Sequence, residues 1–122
     1  MPIPLFWTRL LPFWRTAEIR AASFLRKQGY KIIASGFRVK DGEIDLIAWD
    51  ADVLVFVEVK SRKGNDPPET NVGYTKQQRI LKAATVYIAR NKLHGARCRF
   101  DIVAVNAIPG GKPLCRLIRE AF

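Results

Sequence analysis

The stretch GEIDLIAWDADVLVFVEVK, residues 42–60, constrains the fold most, because it reads as a β-hairpin with ionisable residues inside apolar strands. The pair Ala51–Asp52 predicts a two-residue turn between the two strands. In the second strand, residues 53–57 are apolar at both odd and even positions, which is typical of a strand covered on both faces. We therefore expect this hairpin in the interior of a sheet.

Two acids and a lysine are predicted to converge on the hairpin. With the two-residue turn, counting outward along both strands places Asp45 opposite Glu58. Directly opposed residues have Cβ atoms about 5 Å apart on one face of the sheet. Lys60 follows Glu58 by two residues and shares its face. The turn thus predicts a cluster of Asp45, Glu58 and Lys60.

Such a cluster has two interpretations. Two carboxylates 4 Å apart repel by about 1 kcal/mol in water and about 4 kcal/mol at an effective dielectric near 20. A site of this kind normally holds a proton, a lysine or a metal ion, and Mg²⁺ prefers carboxylate oxygens. A bound Mg²⁺ would suit phosphodiester hydrolysis, with Lys60 stabilising charge on the phosphate. A structural ion-pair cluster explains the same spacing, and the residues alone do not choose between the two.

Periodicity and turn signals predict an α/β domain with helix, three strands, helix and two strands in that order. The expected ranges are a helix over 16–28, strands over 30–39, 43–50 and 53–60, a polar loop over 61–74, a helix over 75–91, and strands over 97–108 and 114–118. The first strand carries a potential break at Gly36. This order favours a mixed sheet flanked by helices.

The two helices carry the next signals. Thr16 is a candidate N-cap, and Glu18 shares the stripe of Ala22 and Leu25, so it is expected to face inward. The second helix has the spacing of a capping box, Thr75 with Gln78. Its predicted apolar face consists of Ile80, Ala83, Ala84, Tyr87 and Ile88.

A formal net charge of +10 predicts attraction to polyanions, with nucleic acid first and an anionic membrane surface second. Arg62 and Lys63 open the polar loop, and Lys76, Arg79 and Lys82 follow at helical spacing. A solvated helix face is the usual meaning of such charges. Few acids are interleaved, however, so pairing along the helix does not explain the run. We interpret these five residues as a surface that tracks phosphates with little base specificity.

Other polar residues indicate structure rather than chemistry. Cys98 and Cys115 form no paired motif and predict reduced, partly buried thiols in a cytoplasmic protein. His94 has no neighbouring ligand residue in the sequence, which makes a metal role improbable. Asp101 is expected to hold Arg99 or a lysine of the second helix.

The aromatic segment 1–15 precedes a single expected domain over 16–122. It lacks the unbroken apolar run of a signal peptide and is too short to span a bilayer. Packing of its aromatic residues onto the domain is favoured over an interfacial anchor or a partner-binding arm.

The hairpin residues resemble a known signature. Asp45, followed after twelve residues by Glu58-Val59-Lys60, resembles the PD-(D/E)xK nuclease motif, with Ile44 at the proline position. The strings AEIRAASFLRKQGYKIIASGFRVKDGEIDLIAWDADVLVFVEVKSR, KQQRILKAATVYIAR and RFDIVAV resemble the YraN-type family of small bacterial proteins. That family is similar to archaeal Holliday-junction resolvases and restriction endonucleases, and the resemblance covers approximately residues 17–105.

The resemblance implies a restriction-endonuclease-like three-layer α/β/α fold with a central mixed β-sheet. It implies an endonuclease that hydrolyses phosphodiester bonds of DNA, including branched DNA, with Mg²⁺ or Mn²⁺. The implied ligands and catalytic groups are Glu18, Asp45, Glu58, the Val59 carbonyl and Lys60 as catalytic lysine. Ala17 stands where the family pattern has glycine.

Two further expectations depend on that resemblance. By analogy with the twofold symmetry of a four-way junction, it implies a homodimer. The alternative function is a nucleic-acid-binding protein that has the nuclease fold but does not cut, with RNA as well as DNA open as a partner.

Overall fold

Five strands form one mixed sheet with a helix packed on each face in the structure, a computed structural model that describes residues 13–66 and 68–122. The elements are α1 (Phe13–Lys27), β1 (Lys31–Val39), β2 (Gly42–Asp50), β3 (Val53–Lys63), α2 (Tyr74–Arg90), β4 (Arg97–Ala107) and β5 (Leu114–Ile118). This element order and the α/β class confirm the prediction from the sequence. Residues 1–12 of the expected N-terminal segment 1–15 lie outside the described part of the chain, and residues 13–15 belong to α1.

The strands follow the order β1-β2-β3-β4-β5, and each neighbouring pair is antiparallel except β3 and β4. The parallel pair is joined by α2, because parallel neighbours need a long crossover. β3 is the central strand. Its Val55 and Val57 lie in the core beneath α1, while Leu54 and Phe56 lie in the core beneath α2. The apolar residues on both sides of this strand are therefore explained by a helix on each side.

Several boundaries differ from the prediction. α1 begins at Phe13, so Thr16 lies inside the helix, and β3 continues three residues beyond Lys60. The strand β1 is unbroken at Gly36, and its register shift lies instead between Ile32 and Ala34. These boundaries are set by pairing with neighbouring strands and by packing, which local propensity does not encode.

The predicted capping box of α2 is wrong. The helix begins one residue earlier than expected, with Gly73 at the N-cap and no side-chain cap. Thr75 and Gln78 therefore both lie inside the helix. The Gln77 side chain instead donates to the Val72 carbonyl at 2.7 Å. The predicted apolar face is correct, since Ile80, Ala83, Ala84 and Tyr87 are buried and Ile88 packs at the edge of the same core.

Asp101 has the structural role that the sequence suggested. It is completely buried, and its Oδ1 lies 2.8 Å from Nε of Arg99. Its Oδ2 accepts a hydrogen bond from the Tyr30 hydroxyl at 2.9 Å, and Oδ1 accepts one from the Glu120 N–H at 3.1 Å. The buried carboxylate thus joins Tyr30, between α1 and β1, and Glu120 near the C-terminus to β4.

The two cysteines are free, with Cys115 half-buried and Cys98 exposed, so the expectation of partial burial fails for Cys98. Within residues 13–66 and 68–122, no helix is both long and apolar enough to cross a membrane.

Gly42 allows α2 to pack closely on β2. A Cβ atom at this position would lie 2.7 Å from the Arg79 carbonyl oxygen and 3.1 Å from the Ala83 nitrogen. Both are helix backbone atoms, which have little freedom to move. We predict that Gly42→Ala lowers the free energy of unfolding by about 1–3 kcal/mol, measured by urea denaturation.

The matched control is Gly95→Ala, because a Cβ atom there would have no neighbour within 4 Å. We expect the control to change stability by less than about 0.5 kcal/mol. Equal unfolding midpoints for the two variants would contradict the close contact between β2 and α2.

Candidate active site

Strands β2 and β3 separate at one end of the hairpin. Their pairing runs from Asp50 opposite Val53 to Leu46 opposite Val57 and stops there. The two-residue turn is therefore as predicted, but the next pair, Asp45 with Glu58, is not joined by the ladder. β3 continues beside β4 as far as Lys63. The result is an opening between residues 42–45 of β2 and residues 58–63 of β3, which we call the notch.

The Asp45 carboxylate lies in the notch and replaces the missing backbone pairing. Its Oδ2 accepts a hydrogen bond from the Val59 N–H at 2.8 Å. Within a strand, the N–H and C=O of one residue point to the same edge. The Val59 carbonyl therefore also faces the notch, and Val59 lines the cavity there. The hydrogen bond fixes a carboxylate beside a backbone carbonyl.

Glu58 carries a buried oxygen that lacks a hydrogen bond. Its side chain is 7% exposed, and among the described residues Oε2 has no hydrogen-bond partner. The Lys76 ammonium lies 3.5 Å from this oxygen, an ion-pair distance without hydrogen-bond geometry. Burial, the hydrogen bond with Asp45 and the repulsion from Asp45 raise the pKa of Glu58 to about 8. Such an oxygen fits a cation, which would favour the ionised carboxylate.

Glu18 approaches Asp45 from α1. Its side chain is half-buried, which agrees with the inward orientation predicted from its position on the helix. Burial and the neighbouring Asp45 raise the pKa of Glu18 to about 7, although Arg15 and Arg38 act in the opposite direction. Asp45 thus has one carboxyl neighbour on α1 and another on β3.

The three carboxyl groups do not form a complete set of metal ligands. Across the described ranges, no group of three or more His, Cys, Asp or Glu side chains is arranged to hold a metal ion. Mg²⁺, however, is commonly bound through only one or two carboxylates while it keeps several waters. Asp45, one neighbouring carboxylate and the Val59 carbonyl are the groups that could supply such ligands.

The direct ion pair with Glu58 comes from α2 rather than from β3. Lys60 is half-buried, and its charge lowers the pKa of Glu58. Lys76 lies closer to the acids, with Nζ 3.2 Å from Oε1 of Glu43. Burial lowers the pKa of Lys76, but Glu58 and Glu43 together raise it above its usual value. The sequence placed Lys76 on a phosphate-tracking surface, whereas its ammonium lies among the site carboxylates.

A cavity of about 260 Å³ lies beside the three carboxyl groups. It is lined by Glu18, Arg38, Glu43, Asp45, Glu58, Val59 and Ser61. Sequence reasoning missed Glu43 and Arg38, which are paired across β1 and β2. The hydrogen bond from Lys76 is the main reason that the pKa of Glu43 is lowered. The sequence signal was one residue out of register: a loop at Asp41–Gly42 pairs Arg38 with Asp45, whereas the observed loop, Lys40–Asp41, pairs Arg38 with Glu43.

A second cavity of about 160 Å³ adjoins the first and shares Glu18, Arg38, Glu43 and Asp45 with it. Arg15 of α1 also lines this cavity. Two arginines thus line the cavity beside the carboxylate cluster.

The predicted basic surface is partly neutralised by acids from other elements. Lys82 lies 3.6 Å from Asp41, and Arg62 lies 3.5 Å from Asp66. Arg79 and Lys63 are exposed. As expected, pairing along the helix does not explain Lys76 and Lys82, because their partners Glu43 and Asp41 lie outside α2. Arg62 differs, since its partner Asp66 lies four residues later in the chain.

Comparison with known proteins identifies the family. The family model described as "Uncharacterised protein family UPF0102" matches residues 17–105. The chain belongs to this family. The YraN-type resemblance deduced from the sequence is thereby confirmed, and the matched range contains every residue of the notch.

Similar proteins carry the same family name. A UPF0102 protein of Symbiobacterium thermophilum is 49% identical over 107 residues, covering 86% of this chain and 91% of that protein. One of Syntrophus aciditrophicus is 42% identical over 119 residues, covering 94% and 91%. One of Nocardia farcinica is 40% identical over 107 residues, covering 86% and 84%.

The raised carboxyl pKa values predict a loss of stability with rising pH in metal-free protein. Glu58 titrates near 4.5 when unfolded and near 8 when folded. Below pH 4.5 Glu58 is protonated in both the folded and the unfolded protein, and its full contribution to stability is present. That contribution falls as the pH rises from about 4.5 toward 8. Glu58→Gln should remove about 2–4 kcal/mol of this decline, measured by urea unfolding in the presence of a chelator.

The control is Glu69→Gln, which changes an exposed loop carboxylate. The free energy of unfolding of this variant should fall with pH as much as that of the unmodified chain. An unfolding free energy that is constant between pH 5 and 8 would contradict the raised pKa of Glu58.

Proposed function

We propose that the protein is a metal-dependent endonuclease with a restriction-endonuclease-like fold that hydrolyses phosphodiester bonds of DNA. The observation that supports this most is the Asp45 carboxylate, held by the Val59 N–H between two further carboxyl groups. Such a concentration of acid in a chain of net charge +10 needs a chemical reason. A divalent cation that meets a phosphate supplies one.

Asp45, Glu58 and the Val59 carbonyl are the proposed metal ligands, with Glu18 as an additional acid. When bound, Mg²⁺ or Mn²⁺ makes water a stronger nucleophile and neutralises charge that builds up on the phosphate. The Asp45–Val59 hydrogen bond keeps the carboxylate in position before the ion arrives, which reduces the reorganisation required on binding. Glu18 lies where it would accept a proton or orient water from the α1 side.

Positive groups around the cavity are proposed to bind the substrate phosphate. Lys60, on the same face of β3 as Glu58, would stabilise charge on the reacting phosphate. Arg38 and Arg15 line the cavities next to Asp45, and Arg38 is largely exposed beside Glu43. One guanidinium group can donate hydrogen bonds to two oxygens of the same phosphate. These arginines would therefore position the phosphodiester against the carboxylates.

The exposed cations beyond the cavity are proposed to follow the DNA backbone. The contributing residues are Arg62, Lys63, Arg79 and Lys82. The ion pairs that Arg62 and Lys82 form are exposed, and exposed pairs contribute at most about 1 kcal/mol. DNA phosphates can displace such weak partners. No element of the described residues presents a base-reading motif, so substrate choice is assigned to DNA shape, such as a branch or an end.

The proposed function predicts nicking that requires Mg²⁺ or Mn²⁺ and the notch residues. Asp45→Asn and Lys60→Met should each lower the rate by about 100-fold or more, because each removes a charge that acts on the transition state. The assay compares branched and linear DNA with and without the ion. Calorimetry should also show that Asp45→Asn loses Mn²⁺ binding.

Asp52→Asn and Lys31→Met are matched controls at the opposite end of the hairpin. Asp52 lies in the turn, and Lys31 opens β1 opposite Trp49. Both controls should nick at the unmodified rate. Activity that persists in Asp45→Asn and Lys60→Met would rule out the notch as the catalytic site.

The second candidate is a nucleic-acid-binding protein with the same fold that does not cut. It is favoured by the absence, within the described ranges, of three acidic or imidazole side chains arranged around one point. In that case DNA or RNA binding should weaken steeply with salt and be unaffected by Asp45→Asn. Arg79→Met should reduce the salt slope by about one unit. No binding to either nucleic acid at low salt would rule out this candidate.

A further inference from the structure

The Lys76 ammonium lies against the Glu58 carboxylate, one of the proposed metal ligands. It lies 3.5 Å from Oε2 of Glu58 and 3.2 Å from Oε1 of Glu43, and it also interacts electrostatically with Asp45. Oε2 is the buried oxygen that lacks a hydrogen bond among the described residues. A cation bound to that oxygen and an ammonium at this distance would repel each other strongly.

We propose that Lys76 is an internal counter-ion of the site, which a divalent cation must displace from Glu58 before it can bind. The inference rests on the proposed metal site in the notch. Lys76 is thus a positioning residue: it compensates the acids while the ion is absent and leaves Glu58 when the ion arrives.

The side chain of Lys76 is suited to this movement. It is 32% exposed, so part of the side chain is already in contact with solvent. Its four-carbon stem lets the ammonium move without moving α2. Glu43 is 30% exposed and lies nearer the solvent than Glu58, which is 7% exposed. Glu43 therefore retains the displaced ammonium at the rim, where a substrate phosphate would enter.

Lysine labelling measures the displacement directly in the unmodified protein. An amine-acylating reagent is applied to the full chain with and without Mg²⁺, and each modified peptide is quantified by mass spectrometry. Mg²⁺ should raise the labelling rate of Lys76 several-fold, because the ammonium leaves its buried partner. Lys82, which is 51% exposed and paired with Asp41, serves as the reference in the same sample and should be unchanged. Unaltered labelling of Lys76 under saturating Mg²⁺ would overturn the proposal.

Calorimetric Mn²⁺ titration supplies an independent readout. Lys76→Met should bind Mn²⁺ about tenfold tighter or more, since the ion no longer competes with an ammonium. Lys76→Arg should restore the weaker binding, and Lys82→Met, a charge removal elsewhere on α2, should leave the affinity within about twofold.

The outcomes separate this inference from the proposed function. Equal Mn²⁺ affinity in the unmodified chain and in Lys76→Met would overturn the counter-ion role and leave the metal site intact. Absence of Mn²⁺ binding in both proteins would overturn the metal site, and the counter-ion role with it.

Discussion

The hydrogen bond from the Val59 N–H to the Asp45 carboxylate is the interaction on which the rest of the site depends. It lies where β2 leaves β3, and there a backbone donor of the central strand would otherwise lose its partner. By satisfying that donor with a side chain, the fold lets the two strands separate without a buried unpaired group. The same bond holds the Asp45 carboxylate between the two helices. Glu18 of α1 approaches this carboxylate from one side of the sheet, and Glu58, which faces α2, approaches it from the other.

Charge compensation links the carboxyl groups to the rest of the molecule. Two acids near Asp45 have raised pKa values because burial and mutual repulsion disfavour their ionised forms. The structure offers protonation and the Lys76 ion pair as ways to relieve this cost, and a divalent cation would be a third. A proton, the Lys76 ammonium and a divalent cation would all compete for the same carboxylate oxygen atoms. Binding of a cation at these oxygen atoms would therefore change the protonation of Glu58 or its pairing with Lys76.

The sequence predicted the fold well where periodicity and burial agree. The apolar residues on both sides of Val55 and Phe56 correctly indicated a central strand, and the Ala51–Asp52 turn gave the correct hairpin register. The capping box failed because α2 begins at Tyr74 with Gly73 as its N-cap, so Thr75 is already inside the helix. In the site, Asp45 and Glu58 were found from spacing within one hairpin. The contacts of Lys76 with Glu43 and Glu58 were not found, because they join residues 33 and 18 positions apart whose approach depends on helix packing.

The sequence by itself determined the element order, the central position of β3 and the clustering of acids at one end of the hairpin, because hydrophobic period and turn chemistry are local. The tertiary structure decided how those acids are used. The β2–β3 ladder ends at Leu46 and Val57, before Asp45 and Glu58, and the Asp45 side chain there accepts a hydrogen bond from the β3 backbone. The docking of α2 on β2 over Gly42 then brings Lys76 to the buried Glu58 oxygen. Such contacts depend on distances between elements, which no spacing along the chain specifies.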